Sequence, residues 1–148
     1  MNKFNFSVVW LKIASLLFAL FGIMIALLNQ THIFQIAFND QINPVFWKEA
    51  VMTAEAVYFQ QWIYGLLGAT CLMIGIMIFF IVKYAFAQRE RWAWNCLIAG
   101  VAAWFIIDET ISLYYAVYFN AVLNLVLLMA FLVPLFLTMA DFKNQNFH

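Results

Sequence analysis

The sequence predicts an all-α protein: a four-transmembrane-helix bundle with up-and-down topology, built as a single membrane domain over residues 1–148. Hydrophobic residues make up 68% of the chain and charged residues 9%, whereas soluble domains contain about 45–50% and about 25% of each. The mean hydropathy is +0.93. Four apolar stretches also reach the roughly 20 residues that a helix needs to cross the hydrocarbon core. We therefore expect the lipid bilayer to cover much of the surface.

The charge balance excludes one large class of function. Seven Lys and Arg residues are matched by seven Asp and Glu residues, which gives a formal net charge of zero. Binding to nucleic acid usually depends on a basic surface that neutralises phosphates. We expect no nucleic-acid partner.

The predicted membrane spans are residues 8–28, 62–82, 92–111 and 119–139. Each has the length of a helix, since a barrel strand has only about 9–11 residues of alternating polarity. Lys12 is the only charge in the first span and lies near its end, so its amine can reach the lipid headgroups. This span could instead be a signal peptide, but it is longer than the usual apolar region of about 7–15 residues and lacks an Ala-x-Ala-like end. We expect it to be retained.

The basic residues predict the orientation. Only Lys48 lies on the side of the 29–61 connection. The other six lie on the side that holds both termini and the 83–91 loop: Lys3, Lys12, Lys83, Arg89, Arg91 and Lys143. Because cytoplasmic loops carry an excess of Lys and Arg, the sequence predicts a multi-pass protein of the cell membrane with both termini in the cytoplasm and residues 29–61 outside it.

The 29–61 connection is predicted to contain a helix. Asn43 followed by Pro44 is typical of an N-cap and a first helical position, and apolar residues recur at helical spacing as far as Tyr58. We expect a helix from Pro44 to about Gln60. It could lie as an amphipathic helix on the outer surface or extend the second span outward.

Small residues recur at helical spacing on the first three predicted spans. In lipid, such residues let helix backbones approach closely, so we expect them at packing surfaces, with a homodimer face as the alternative. They are Ser15, Ala19, Gly22 and Ala26 on the first span, Gly65, Gly68, Ala69 and Gly75 on the second, and Ala99 and Ala103 on the third.

Several kinds of chemistry lack support. His32 and His148 both lie outside the spans, so a haem in the bundle would have no His ligands. Cys71 and Cys96 do not form a Cys-x-x-Cys pair and lie at different predicted depths, too far apart for a disulfide. Motifs of serine hydrolases, P-loop ATPases and zinc peptidases are missing from the sequence. We expect no metal and no cofactor.

A polar cluster is predicted at the outer end of the third span. Trp104, Asp108, Ser112 and Tyr115 follow i, i+4, i+8, i+11 spacing and share one helix face, whereas Glu109 points about 100° away.

The fourth span carries Asn120 and Asn124 on one face, and Asn124 lies at a depth comparable to that of Asp108. We expect a hydrogen bond between these two side chains. It could serve only to join the helices, since such contacts contribute about 0.6 kcal/mol. It could also belong to a ligand-binding pocket that opens outward, because carboxylates within a membrane are functional candidates. That pocket would be lined by Asp108, Ser112, Asn120 and Asn124, with Glu55 or Glu109 above it.

A resemblance supports this general class. The run Arg89-Glu90-Arg91-Trp92-Ala93-Trp94-Asn95, together with Trp104-Phe105-Ile106-Ile107-Asp108, Ser112 and Asn120-x-x-x-Asn124, resembles small bacterial four-helix integral membrane proteins of unknown function. It covers roughly the second half of the chain. The resemblance implies location in a bacterial inner membrane and implies no activity.

The sequence favours a non-enzymatic membrane protein that binds a lipid-like or hydrophobic small molecule, or that packs as a subunit of a membrane complex. One alternative is a membrane enzyme that acts on a lipid-soluble substrate with Asp108 as acid or base. Another is a small transporter, which is weakened because no inverted repeat is evident.

Overall fold

A computed structural model describes residues 2–48 and 51–142 of the chain, and these residues form helices with no strand. Four helices are long and apolar enough to cross a membrane. They are α1 (Lys3–Leu28), α4 (Ala54–Tyr84), α5 (Arg91–Tyr114) and α6 (Tyr118–Leu137). Between α1 and α4 lie α2 (His32–Phe34), a π-helical turn (Gln35–Asn39) and α3 (Asp40–Trp47). Short 3₁₀ turns (Phe86–Gln88 and Met139–Phe142) follow α4 and α6.

Two of the long helices begin earlier than their apolar stretches because polar residues cap them. The Asn2 side chain accepts a hydrogen bond from the Phe4 backbone N–H at 3.1 Å, and α1 starts at Lys3. The Thr53 hydroxyl accepts from the Ala56 N–H at 3.3 Å, and α4 starts at Ala54. A capping oxygen satisfies one of the backbone donors that a helix start leaves unpaired.

The predicted helix from Pro44 to Gln60 is wrong. Pro44 lies inside α3 and not at its first position. Lys48 then adopts φ 50, a left-handed conformation that cannot continue a right-handed helix. Residues 54–60 form the first turns of α4, so the alternative of a helical extension of the second span is confirmed for these residues. Glu49 and Ala50, which the predicted helix included, lie outside the described residues.

Glycine brings α1 and α4 into backbone contact. A Cβ added to Gly22 would lie 2.5 Å from the Leu72 nitrogen, and one added to Gly75 would lie 2.7 Å from the Ala19 nitrogen. These contacts run in opposite directions along the two helices, so α1 and α4 are antiparallel. The predicted packing role is confirmed for Gly22, Gly68 and Gly75. It is wrong for Gly65, where an added Cβ would meet no atom of the described residues within 4 Å.

The core lies at the 83–91 end of the bundle. It contains Phe4, Leu11, Val82, Phe86, Leu97, Leu135 and Phe142, all at most 5% exposed. Two indole groups extend this packing by hydrogen bonding to α6. Trp94 Nε1 donates to the Leu135 carbonyl at 2.9 Å and Trp10 Nε1 to the Ala130 carbonyl at 2.8 Å. Because Pro134 has no N–H, it cannot satisfy the Ala130 carbonyl one turn earlier, and Trp10 supplies that missing donor.

Large apolar side chains cover the outside of the long helices. Leu17 is 60% exposed, Leu27 73% and Ile106 64%. Exposed apolar surface of this extent is unusual on a soluble monomer and typical of helices that contact lipid or a partner.

Candidate binding site

Asp108 is the centre of a hydrogen-bond cluster between α5 and α6. Its Oδ1 atom accepts from Asn120 Nδ2 at 2.9 Å and from Asn124 Nδ2 at 3.1 Å. Its Oδ2 atom accepts from Trp104 Nε1 at 3.1 Å. The predicted hydrogen bond between Asp108 and Asn124 is therefore confirmed. Both amides come from α6, so the carboxylate joins the two helices directly.

The Ser112 side chain contacts the Asp108 carboxylate one turn further along α5. Its hydroxyl lies 2.7 Å from the Asp108 carbonyl and 3.2 Å from Asp108 Oδ1, and it accepts from Asn120 Nδ2 at 2.8 Å. The Ser112 side chain is only 4% exposed. A buried hydroxyl with three polar neighbours restricts the rotamers that Asp108 can adopt, so Ser112 positions the carboxylate.

Helix geometry explains why these side chains meet. Residues 104, 108 and 112 follow one face of α5 at intervals of one turn. Only Tyr115, Ala116 and Val117 separate α5 from α6, and Ala116 makes the turn with φ 57. This short connection places the first turns of α6, which carry Asn120 and Asn124, opposite the last turns of α5.

Among the described residues, no cationic side chain contacts the Asp108 carboxylate. Asp108 receives hydrogen bonds from neutral indole, hydroxyl and amide groups. In the described part of the chain, the one salt bridge joins Arg89 to Asp141 at 4.0 Å, at the opposite end of the bundle. Asp108 Oδ2 accepts from Trp104 alone among the described residues, so it can accept from one further donor.

Glu109 lies closer to the cluster than its helical position suggests. The sequence places it about 100° from the face of Asp108, yet Asn124 Nδ2 donates to Glu109 Oε2 at 3.4 Å. The length of the Glu side chain allows this contact across the helix face. Asn124, which is 3% exposed, therefore contacts both carboxylates.

A cavity of about 120 Å³ opens beside the cluster. Its polar residues are Asp108, Asn120 and Asn124, and its other thirteen lining residues are apolar or aromatic. Seven of the sixteen are aromatic: Phe18, Phe21, Phe34, Phe38, Tyr64, Trp104 and Phe119. The cavity is thus a mostly apolar space, with its carboxylate and two amides gathered on the wall formed by α5 and α6.

Six of the eight predicted site residues lie in or next to the cavity beside Asp108. Trp104, Asp108, Asn120 and Asn124 line the cavity, and Ser112 and Glu109 contact these residues as described above.

Glu55 and Tyr115 lie elsewhere, so their placement in the cluster is wrong. Glu55 lies fully exposed in the first turn of α4, because the Thr53 cap starts that helix well beyond the cluster. Tyr115 follows the last residue of α5 and leaves the helix, so it does not continue the face of Asp108. Its ring lies 4.9 Å from Tyr114 and 6.0 Å from Phe46, centroid to centroid, and is 53% exposed.

The connection between α1 and α4 supplies a wall of the cavity that sequence reasoning missed. Phe34, Phe38 and Ile42 line the cavity, and the Phe34 and Phe38 rings stack at 4.6 Å. A sequence signal did exist: these residues follow i, i+4, i+8 spacing after Thr31, whose hydroxyl accepts from the Phe34 N–H at 3.3 Å.

Comparison of the chain with protein-family models, curated proteins and solved structures gives no match. The geometry of the site is therefore the basis for the function proposed below.

Proposed function

We propose that this chain is a multi-pass membrane protein that binds a small hydrophobic molecule in the cavity beside Asp108. Its membrane helices run up and down, with the termini and the 83–91 loop in the cytoplasm. The cavity carries the proposal, because small-molecule sites are typically concave, mostly apolar and equipped with a few convergent polar groups. Here those polar groups are a carboxylate and two amides.

The volume limits the ligand. A cavity of roughly 150 Å³ in another protein accepts benzene, so about 120 Å³ suits a single ring or the end of a chain. A whole lipid would not fit. The free capacity of Asp108 Oδ2 favours a ligand with one hydrogen-bond donor, such as a hydroxyl, or with a positive charge that the aromatic walls also stabilise.

A hydrogen bond that serves only to join helices explains less of this arrangement. Asp108 and its donors face a cavity instead of a close-packed helix contact. Structural joining requires one donor and one acceptor, and does not require an open space lined by the four long helices and the connection between α1 and α4. The cavity therefore favours the ligand-binding function over a purely structural one.

The proposal can be tested with a matched pair of probes, para-fluorobenzyl alcohol and para-fluorotoluene, followed by fluorine NMR in detergent. The alcohol should bind more tightly, because its hydroxyl can donate to Asp108. Leu123→Phe should abolish binding of both probes, since Leu123 lines the cavity. Leu125→Phe is the control, because Leu125 is 47% exposed on the same helix. Equal binding by Leu123→Phe and the wild type would exclude this cavity as the site.

Asp108→Asn separates the ligand contact from the structural one. The amide oxygen can still accept from Asn120 and Asn124, and the change removes a charge that is costly in lipid. The amide nitrogen, however, leaves Trp104 Nε1 without its acceptor, so the melting temperature should change little. The preference for the alcohol over the toluene should fall by about tenfold, the lower end of the range for a hydrogen bond to a charged group. An unchanged preference would leave Asp108 with a structural role only.

A further inference from the structure

A second and larger cleft lies at the 29–61 end of the chain. It has a volume of about 550 Å³ and lies between the π-helical turn with α3 on one side and the first turns of α4 on the other. Seven of its fourteen lining residues are Asn or Gln, and we call it the amide cleft. Among the described lining residues, the charged ones are Asp40 and Lys48, so these residues together carry no net formal charge.

The connection between α1 and α4 forms a wall of both cavities. Two neighbouring stripes follow i, i+4, i+8 spacing along it, one of amides and one of apolar residues. The amide stripe lines the amide cleft and the apolar stripe lines the cavity beside Asp108: Gln35, Asn39 and Asn43 in the first, Phe34, Phe38 and Ile42 in the second. The two sites thus have opposite polarity and share no lining residue.

Hydrogen bonds hold the amides of the cleft in place. Asn39 Nδ2 donates to Gln35 Oε1 at 2.9 Å, and Gln35 Nε2 donates to Asp40 Oδ1 at 2.7 Å. Across the cleft, Gln60 Nε2 donates to Asn43 Oδ1 at 2.6 Å. The cleft is therefore lined by positioned groups and not by freely rotating surface side chains.

Two buried oxygens in the lining need donors. Asn29 and Asn39 are 6% and 7% exposed, and their Oδ1 atoms have no hydrogen-bond partner among residues 2–48 and 51–142. The orientation of Asn29 is fixed, because its Nδ2 lies 2.9 Å from the Ile25 carbonyl and 3.4 Å from the Gln61 carbonyl. A buried acceptor without a donor is unfavourable. A ligand that brings donors to these oxygens would remove that cost.

We propose that the amide cleft binds an uncharged polyhydroxylated molecule of the saccharide class, either free or as the headgroup of a glycolipid. Amide side chains donate and accept at once, which matches hydroxyl groups, and the balanced charge of the lining gives no preference for an anion or a cation. Trp47 and Pro44 add apolar surface for the C–H faces of a sugar ring. The volume lies within the range of about 300–1,000 Å³ that is typical of ligand pockets.

Binding requires a small movement. The Asn29 and Asn39 oxygens have almost no accessible surface, so a hydroxyl can donate to them only after neighbouring groups of the cleft move. We therefore expect the saccharide to change the hydrogen exchange of residues 35–47 as it binds.

The test uses the full chain purified in a detergent without a sugar headgroup, because a maltoside or glucoside would compete. Maltose is titrated by calorimetry to test the free saccharide. Nanodiscs of phosphatidylglycerol with and without glucosyl diacylglycerol, analysed by hydrogen exchange, test the headgroup. Maltose binding with exchange protection indicates a free saccharide, and protection only with the glycolipid indicates a headgroup. Glucose, glucosamine and glucose phosphate are titrated in the same way to compare neutral, cationic and anionic sugars. The proposal would be overturned if neither maltose nor the glycolipid bound, or if glucosamine or glucose phosphate bound more tightly than glucose.

Matched variants assign the effect to the cleft. Asn39→Leu keeps the size of the side chain but removes its amide, and should weaken saccharide binding by about tenfold, the upper range for one neutral hydrogen bond. Gln41→Leu is the control, since Gln41 is exposed on α3 and outside the lining. Should Asn39→Leu fail to fold, Asn43→Ala tests the same stripe from a less buried position. Wild-type affinity in a folded Asn39→Leu or Asn43→Ala protein would refute the assignment.

Discussion

Alanine at Gly68 should destabilise the bundle, whereas alanine at Gly65 should not. Both residues lie on α4, three positions apart. A Cβ at Gly68 would press against the Gly22 carbonyl oxygen and would lie 2.5 Å from the Ala26 nitrogen. At Gly65 an added Cβ would meet no atom of the described residues within 4 Å. The same substitution therefore tests a close helix contact and an open surface on one helix.

The contacts set the magnitude. Ordinary contacts of a Cβ lie at 3.4–4 Å, so α1 and α4 would have to separate by about 1 Å, a gap that forfeits up to about half of the dispersion energy of each affected contact. The obstructing atoms are backbone and cannot rotate away, which places the cost near the upper end of about 1–3 kcal/mol for overpacking. Alanine regains about 1 kcal/mol of helix propensity over glycine. The net loss for Gly68→Ala is about 2 kcal/mol, and Gly65→Ala should gain up to about 1 kcal/mol.

Unfolding in mixed micelles by titration with sodium dodecyl sulfate, followed by circular dichroism, measures both free energies. Gly100→Ala on α5 is a second control, because a Cβ there also meets no described atom within 4 Å. If Gly68→Ala were as stable as Gly65→Ala, the backbone contact between α1 and α4 would not exist in the protein, and the argument from close packing would be refuted.

Two further predictions concern α6 and the topology. Trp10→Phe should lower the free energy of unfolding by about 1–3 kcal/mol, because the Ala130 carbonyl loses the indole donor that replaces the missing proline N–H; a stability equal to the wild type would show that the carbonyl finds another partner. In a chain whose native cysteines are replaced by serine, a cysteine at Gln41 should react with an impermeant maleimide in intact cells and one at Gln88 should not. The reverse labelling pattern would contradict the proposed orientation.

The sequence predicted the long helices well because hydropathy reports length directly. Their starts were less accurate, since short polar caps decide them. Asn2 and Thr53 begin α1 and α4 at Lys3 and Ala54, five and eight residues before the apolar runs. A cap acts through one hydrogen bond of one polar residue, and this hardly changes a mean hydropathy taken over 20 residues. The Pro44 prediction failed for the same local reason, because the conformation of Lys48 decides where that helix ends.

The cluster was predictable where helix periodicity alone brings residues together. Asp108, Ser112, Asn120 and Asn124 lie on regular helices joined by a short connection, so counting along the chain places Asp108 at the depth of Asn124 and Ser112 at the depth of Asn120. The aromatic wall at Phe34 and Phe38 was not predictable in this way. The spacing of Phe34, Phe38 and Ile42 predicts that they share a helix face, but it does not predict the π-helical turn over Gln35–Asn39 or that this face covers the cavity beside Asp108.

The charge on Asp108 is more than the packing of α5 and α6 requires. A carboxylate costs about 2.5–3.5 kcal/mol at the centre of a membrane helix and less towards its end, where Asp108 lies. The oxygen of an amide at the same position would also accept from Asn120 and Asn124, and only the Trp104 indole would lose its acceptor. In the described residues the donors to Asp108 are all neutral, so no ion pair within the cluster offsets the free-energy cost of placing the carboxylate in the membrane. What distinguishes the carboxylate from an amide is a stronger acceptor directed at a cavity with aromatic walls. Trp104 uses one acceptor site of Oδ2, and the second site is used only when a donor or a cation enters the cavity, which is why the ligand-binding function accounts for Asp108 better than helix joining does.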